Sequence, residues 1–81
     1  MNIDGVIPGI GERLRTWREF KKLSRKQVMK MVKVSQGSYS DLENERSYPS
    51  AKTLTNMIEF TDLNIIWLLT AEGKMINEKK M

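Results

Sequence analysis

The chain has no cysteine and no histidine. Disulfide scaffolds, thiol nucleophiles and Cys/His zinc sites are therefore excluded. Its carboxylates show no convergent constellation, so no enzyme, metal site, cofactor or small-molecule ligand is expected. The longest apolar run, Ile65 to Leu69, is far too short to span a bilayer. The Met1 end lacks a basic stretch followed by an apolar run, so no signal peptide is expected and the cytoplasm follows by elimination. The early glycines, Gly5, Gly9 and Gly11, precede no P-loop lysine pattern. No β-pattern, internal repeat or interdomain linker is visible.

What remains is a single-domain length of 81 residues, 40% hydrophobic and 30% charged, which is globular in character. The formal charge is +4 and is unevenly spread. Ile10 to Lys52 carries 11 basic and 5 acidic residues, a net of +6, against −2 for the remainder. A polyanionic partner accounts for such a field, as does a face kept charged for solubility.

Periodicity predicts an all-α fold of five helices. Residues 1–9 read as a flexible arm, 10–73 as the folded domain and 74–81 as a flexible tail. The first helix is expected over about Gly11 to Lys22, with Ile10, Leu14 and Trp17 as its apolar stripe and Phe20 extending it. The second opens with a capping box, Ser24 and Gln27, and turns Val28, Met31 and Val32 inward. The third starts after Ser35, with Tyr39 and Leu42 inward and Ser38 beside them. Gln36, Gly37, Ser40, Asp41 and Asn44 fall on its opposite side. The fourth starts after Ser50 and is expected to bury Leu54, Met57, Ile58 and Phe60. The fifth follows Asn64 and ends near Gly73 as its C-terminal cap. The pair of short helices from Leu23 to Asn44, apolar behind and polar in front, suits insertion of one helix into a major groove.

Four segments carry a resemblance to the phage repressor and Cro-like helix-turn-helix family: LSRKQV, VSQGSYSDLEN, YPSAKTL and IIWLLTAEG. Together they cover roughly Ile10 to Gly73. The resemblance implies a lambda-repressor-like five-helix bundle that binds double-stranded DNA as a transcriptional regulator, most simply a repressor. The chain departs from the family in having Met29 where a small residue is usual, and Lys33 and Glu45 where glycine is common.

On this reading Gln36, Gly37, Ser40 and Asp41 contact bases. The Gln36 amide suits adenine, and Asp41 suits cytosine N4 while repelling phosphate. Arg25, Gln27, Asn44, Arg46, Ser47 and Lys52 contact phosphates. For Arg25 the alternative is reading guanine, for Asn44 a C-terminal cap, and for Lys52 a plain surface charge. Arg18 and Glu43 match a family ion pair joining the first helix to the end of the third. Trp17 is expected in the core. Ile66 and Trp67 are expected at a two-fold dimer interface, because the fifth helix is apolar nearly all round. An alternative is a protein-interaction module on the same fold, an antitoxin or anti-regulator using the fifth helix and tail.

Overall fold

The structure, a computed structural model, describes residues 9–77. The expected arm therefore lies outside the described residues except for Gly9, as do residues 78–81 of the expected tail. The described residues form five helices and no strand: α1 (Ile10–Phe20), α2 (Arg25–Val32), α3 (Gln36–Glu43), α4 (Ala51–Phe60) and α5 (Ile65–Thr70).

Local chemistry explains most of the helix starts. Ser24 Oγ accepts from the Gln27 amide at 3.0 Å, and Gln27 Oε1 accepts from the Ser24 amide at 2.8 Å, completing the capping box of α2. Ser35 Oγ caps α3 through the Ser38 amide, and Ser50 Oγ caps α4 through the Thr53 amide. Asn64 Oδ1 caps α5 through the Ile66 amide. At α1 the residue before the helix is Gly9 and no side chain of its own caps the turn. The Glu45 carboxylate supplies that cap from across the fold, accepting from the Glu12 amide at 3.2 Å.

The helix ends are less economical. Lys22, Lys33, Glu45 and Ala71 all adopt the left-handed backbone, with φ of 60°, 60°, 63° and 67°. Lys22 and Glu45 close Schellman-type turns. The Leu23 amide donates to Arg18 O at 3.0 Å, and the Arg46 amide to Asp41 O at 2.8 Å. Each non-glycine residue there costs roughly 1 kcal/mol relative to glycine. At Lys33 the ammonium lies 4.5 Å above the Phe60 ring, which offsets part of that cost. The cap of α5 is Ala71 rather than the expected Gly73, because α5 stops one turn after Trp67.

The core comprises Ile10, Leu14, Trp17, Val28, Val32, Tyr39, Leu42, Met57, Leu63 and Leu68. α1 packs mainly on α3, and α2 mainly on α4. The expected burial of Ile58 and Phe60 is not what forms: both are exposed. α4 instead turns Thr53 and Met57 inward, four residues apart, with Leu54 half-buried. The buried Thr53 hydroxyl accepts from Ser50 Oγ at 3.1 Å, which makes a polar group tolerable there. Ser38, expected beside the inward face of α3, is exposed.

Residues 74–77 do not fray away from the domain. Ile76 pairs with Leu63 in an antiparallel bridge, the Asn64 amide donates to Met75 O, and the Asn77 amide donates to Asp62 O. Met75 and Ile76 pack against the core. The pairing satisfies backbone groups in the α4–α5 connection that no helix serves.

Candidate nucleic-acid interface

The candidate surface is built on α3, whose two faces are set by the helical period. Tyr39, Leu42 and Glu43 form its buried back. Gly37, Asp41 and Asn44 centre the opposite side by the 100° step, with Gln36 and Ser40 on the flank toward α2.

The back is anchored by charge as well as by apolar packing. The Glu43 side chain is only 2% exposed. Arg18 Nε donates to its Oε2 at 2.7 Å and Arg18 Nη2 to its Oε1 at 3.4 Å. The Tyr39 hydroxyl also donates to Oε2. Arg25 Nε stands 3.3 Å and Arg15 Nε 3.5 Å from Oε1. One carboxylate thus joins α1, α2 and α3. Burial pushes the Glu43 carboxyl up, but the hydrogen bonds from Arg18 and Tyr39 and the Arg18 charge outweigh this and hold it below the usual carboxylate range. Burial, followed by the Glu43 contact, pushes the Tyr39 phenol far above its ordinary value. The bond to Glu43 raises Arg18 further, so both partners remain charged.

Backbone proximity completes the anchor. A Cβ on Gly11 would stand 2.5 Å from both Leu42 O and Glu43 O. Gly11 is therefore required for α1 to lie against the end of α3. Gly37 is the opposite case: a Cβ there would meet nothing within 4 Å. No packing contact calls for glycine on this exposed helical turn, where it costs up to about 1 kcal/mol relative to alanine.

The expected contact residues are spread over α2, α3, the loop after it and the start of α4. Arg25, Gln36 and Ser40 line a groove of about 400 Å³ between α2 and α3, together with Lys26, Met29 and Tyr39. Met29 lines this groove and packs against the core, and α2 and α3 meet around it. Gln27 stands exposed near the start of α2, its Oε1 committed to the capping box. On the other flank of α3, Ser47 lines a groove of about 320 Å³ with Lys33, Ser38 and Ser50. Lys52 is exposed in the first turn of α4.

Two pairs of expected contact residues bond to each other within the chain. Asn44 is the C-terminal cap residue of α3, and its Nδ2 donates to Ser40 Oγ at 3.2 Å. Arg46 Nη1 donates to Asp41 Oδ1 at 3.0 Å. The Arg18–Glu43 pair forms, and it is larger than expected because Arg15 and Arg25 join it. Arg25 keeps most of its side chain in solvent, so its free edge still faces outward. Trp17 is in the core, with its Nε1 donating to Asp62 Oδ1 at 3.0 Å. Burial raises the Asp62 carboxyl, but the bonds from Lys21 and Trp17 bring it below its ordinary value. Arg13 Nε ties α1 to α5 by donating to Leu68 O at 2.8 Å. Ile66 is 65% exposed and Trp67 half-buried.

No helix of the described residues is long and apolar enough to cross a membrane. Among them, no group of three or more His, Cys, Asp or Glu is placed to hold a metal ion. Comparison with the curated proteins and with the solved structures gave no match. The model of one family, described as a helix-turn-helix domain, matches residues 11–74, which span α1 to α5 and include the α2–turn–α3 unit and its anchor; the chain belongs to the helix-turn-helix domain family.

Proposed function

We propose that this protein is a sequence-specific DNA-binding transcriptional regulator, a phage-type repressor that occupies an operator with α3 in the major groove. The observation that carries the reading is the two-sidedness of α3. Its back is held by a buried ion-pair cluster, and its front is open, small and polar. A rigid helix with an accessible polar front is what base-edge readout requires. Gln36 is the adenine reader in this scheme. Gly37 and Ser40 permit close approach. Arg25, Gln27, Asn44, Ser47 and Lys52 contact phosphates.

The protein acts as a homodimer on DNA, with Ile66 and Trp67 on α5 contributing to the interface. The wide exposure of Ile66 supports this, since an isolated surface helix has little reason to present isoleucine beside tryptophan. Two copies of α3 would then enter successive major grooves about 34 Å apart on a near-palindromic site.

Fluorescence anisotropy on a site selected from random DNA tests the reading. Affinity should fall about 10³-fold or more between 50 and 200 mM salt if a dimer neutralises several phosphates. Gln36→Ala with Arg25→Ala should abolish specific binding. A flat salt response with these residues dispensable would favour the second reading, a protein-interaction module. The exposed Ile58, Phe60 and Ile66 keep that reading in view. A concentration series that stays monomeric both free and on DNA would remove the dimer.

A further inference from the structure

The turn that ends α3 does more than stop the helix. The left-handed Glu45 and the bond from the Arg46 amide to Asp41 O fold the chain back on itself. This return brings the Arg46 guanidinium beside Asp41, whose side chain Nη1 reaches at 3.0 Å. Asp41 lies on the outward side of α3, next in space to the open position at Gly37. The Asp41 and Arg46 side chains remain 46% and 63% exposed. The guanidinium is thus held against the reading side, although Arg46 itself lies outside the helix.

The pair behaves differently toward the two targets DNA offers. A phosphate would meet an arginine whose charge is already countered by a carboxylate at hydrogen-bond distance, and that carboxylate would repel it. A base edge is uncharged and incurs no such penalty. Arginine has five N–H donors in a planar fork, and one bond to Asp41 leaves four, an adjacent pair of which can span guanine O6 and N7. Asp41 alone, in contrast, only accepts, so it suits an exposed amino group, cytosine N4 above all, and cannot read guanine O6 or N7.

Resting on the DNA-binding reading, we infer that Arg46 is a specificity-determining residue that reads guanine in the major groove, and that Asp41 is a positioning residue that holds its guanidinium for that contact. The contact lies beyond the C-terminal end of α3, away from Gln36 at its start. Each half-site should therefore contain a guanine separate from the bases read by Gln36.

The experiment is selection of sites from random duplex DNA by the intact protein. Affinities then follow on the selected duplex and on its three variants at that guanine, each at two salt concentrations. The parent should prefer guanine about 10- to 100-fold. Arg46→Ala should erase the preference at that position alone and leave the other positions and the salt slope nearly unchanged. Asp41→Asn should weaken the guanine preference and steepen the salt slope, because the released guanidinium can turn to phosphate. Both residues are exposed, and matching thermal melts establish that the variants fold. Uniform weakening on every duplex by Arg46→Ala, with the salt slope lowered by about one, would overturn the inference and make Arg46 a phosphate ligand. A preference for cytosine that disappears in Asp41→Asn would overturn it as well. Failure of the parent to select any sequence would remove the DNA-binding reading itself, and the inference with it.

Discussion

Asp41 and Glu43 are two residues apart on one helix, and each is paired with arginine, yet they serve opposite ends. Glu43 points into the protein and gathers Arg18, Arg15, Arg25 and the Tyr39 hydroxyl around a carboxylate that solvent hardly reaches. Asp41 points away and holds one arginine in the open. A buried charge is held in place because losing its partner strands the other charge. An exposed pair contributes only about 0–1 kcal/mol and can exchange partners readily. The same pairing chemistry therefore fixes the helix on one side and leaves it adaptable on the other.

The comparison can be broken most severely at Glu43. Glu43→Gln should cost roughly 3–5 kcal/mol by leaving Arg18 buried beside a neutral amide, enough to unfold much of so small a domain at 25 °C. Chemical denaturation followed by circular dichroism would measure it, and parent-like stability would show that the cluster is not what holds α3. The second attack comes from the backbone. Gly11→Ala should cost about 1–3 kcal/mol by forcing α1 away from the Leu42 and Glu43 carbonyls.

Acid tests the same anchor without mutation. The Glu43 carboxyl is held below its ordinary value in the folded chain, so on acidification the unfolded chain takes up this proton first. The stability it provides is complete above about pH 5, falls as pH drops through the ordinary carboxylate range near about 4.3, and is gone below the folded-state value. Melting temperature against pH should show this decline. A folded Glu43→Gln protein, or a pseudo-wild-type background carrying it, should show a shallower one, with Asp62 contributing what remains.

Effects at the front should be smaller and should separate stability from binding. Gly37→Ala should raise stability by up to about 1 kcal/mol, since the new methyl meets nothing, while weakening binding if the backbone there must approach a base. Asp41→Asn should shift the melting free energy by less than about 1 kcal/mol. A large loss at Asp41 would erase the contrast between the two carboxylates.

Much of this organisation can be read from local sequence. Ser24 with Gln27, Ser35, Ser50 and Asn64 mark helix starts because capping depends on residues only two or three positions apart. The inward Leu14, Trp17, Val28, Val32, Tyr39 and Leu42 follow from the helical period. The misreadings arise where distant segments decide. Ile58 and Phe60 look like core on α4, but the helix is rotated to present Thr53 and Met57, a choice made by the elements around it. Leu63 and Ile76 meet outside any helix, so no period reveals them. Arg15 and Arg25 reach Glu43 from separate helices, and only the tertiary arrangement shows that three guanidinium groups share one acid. The Asp41–Arg46 contact depends on a left-handed Glu45, where the residue type gives no warning of positive φ.

Gly37 carries a consequence for how such a protein changes over time. It occupies the middle of the outward side of α3 and borders empty space, while the residues that fix the helix lie behind it. A new side chain at this position would neither clash with the domain nor loosen its anchor. On the proposed DNA-binding reading, sequence preference can thus drift here one substitution at a time, with the fold acting as a constant frame and the missing side chain as a blank site on which a different target can be written.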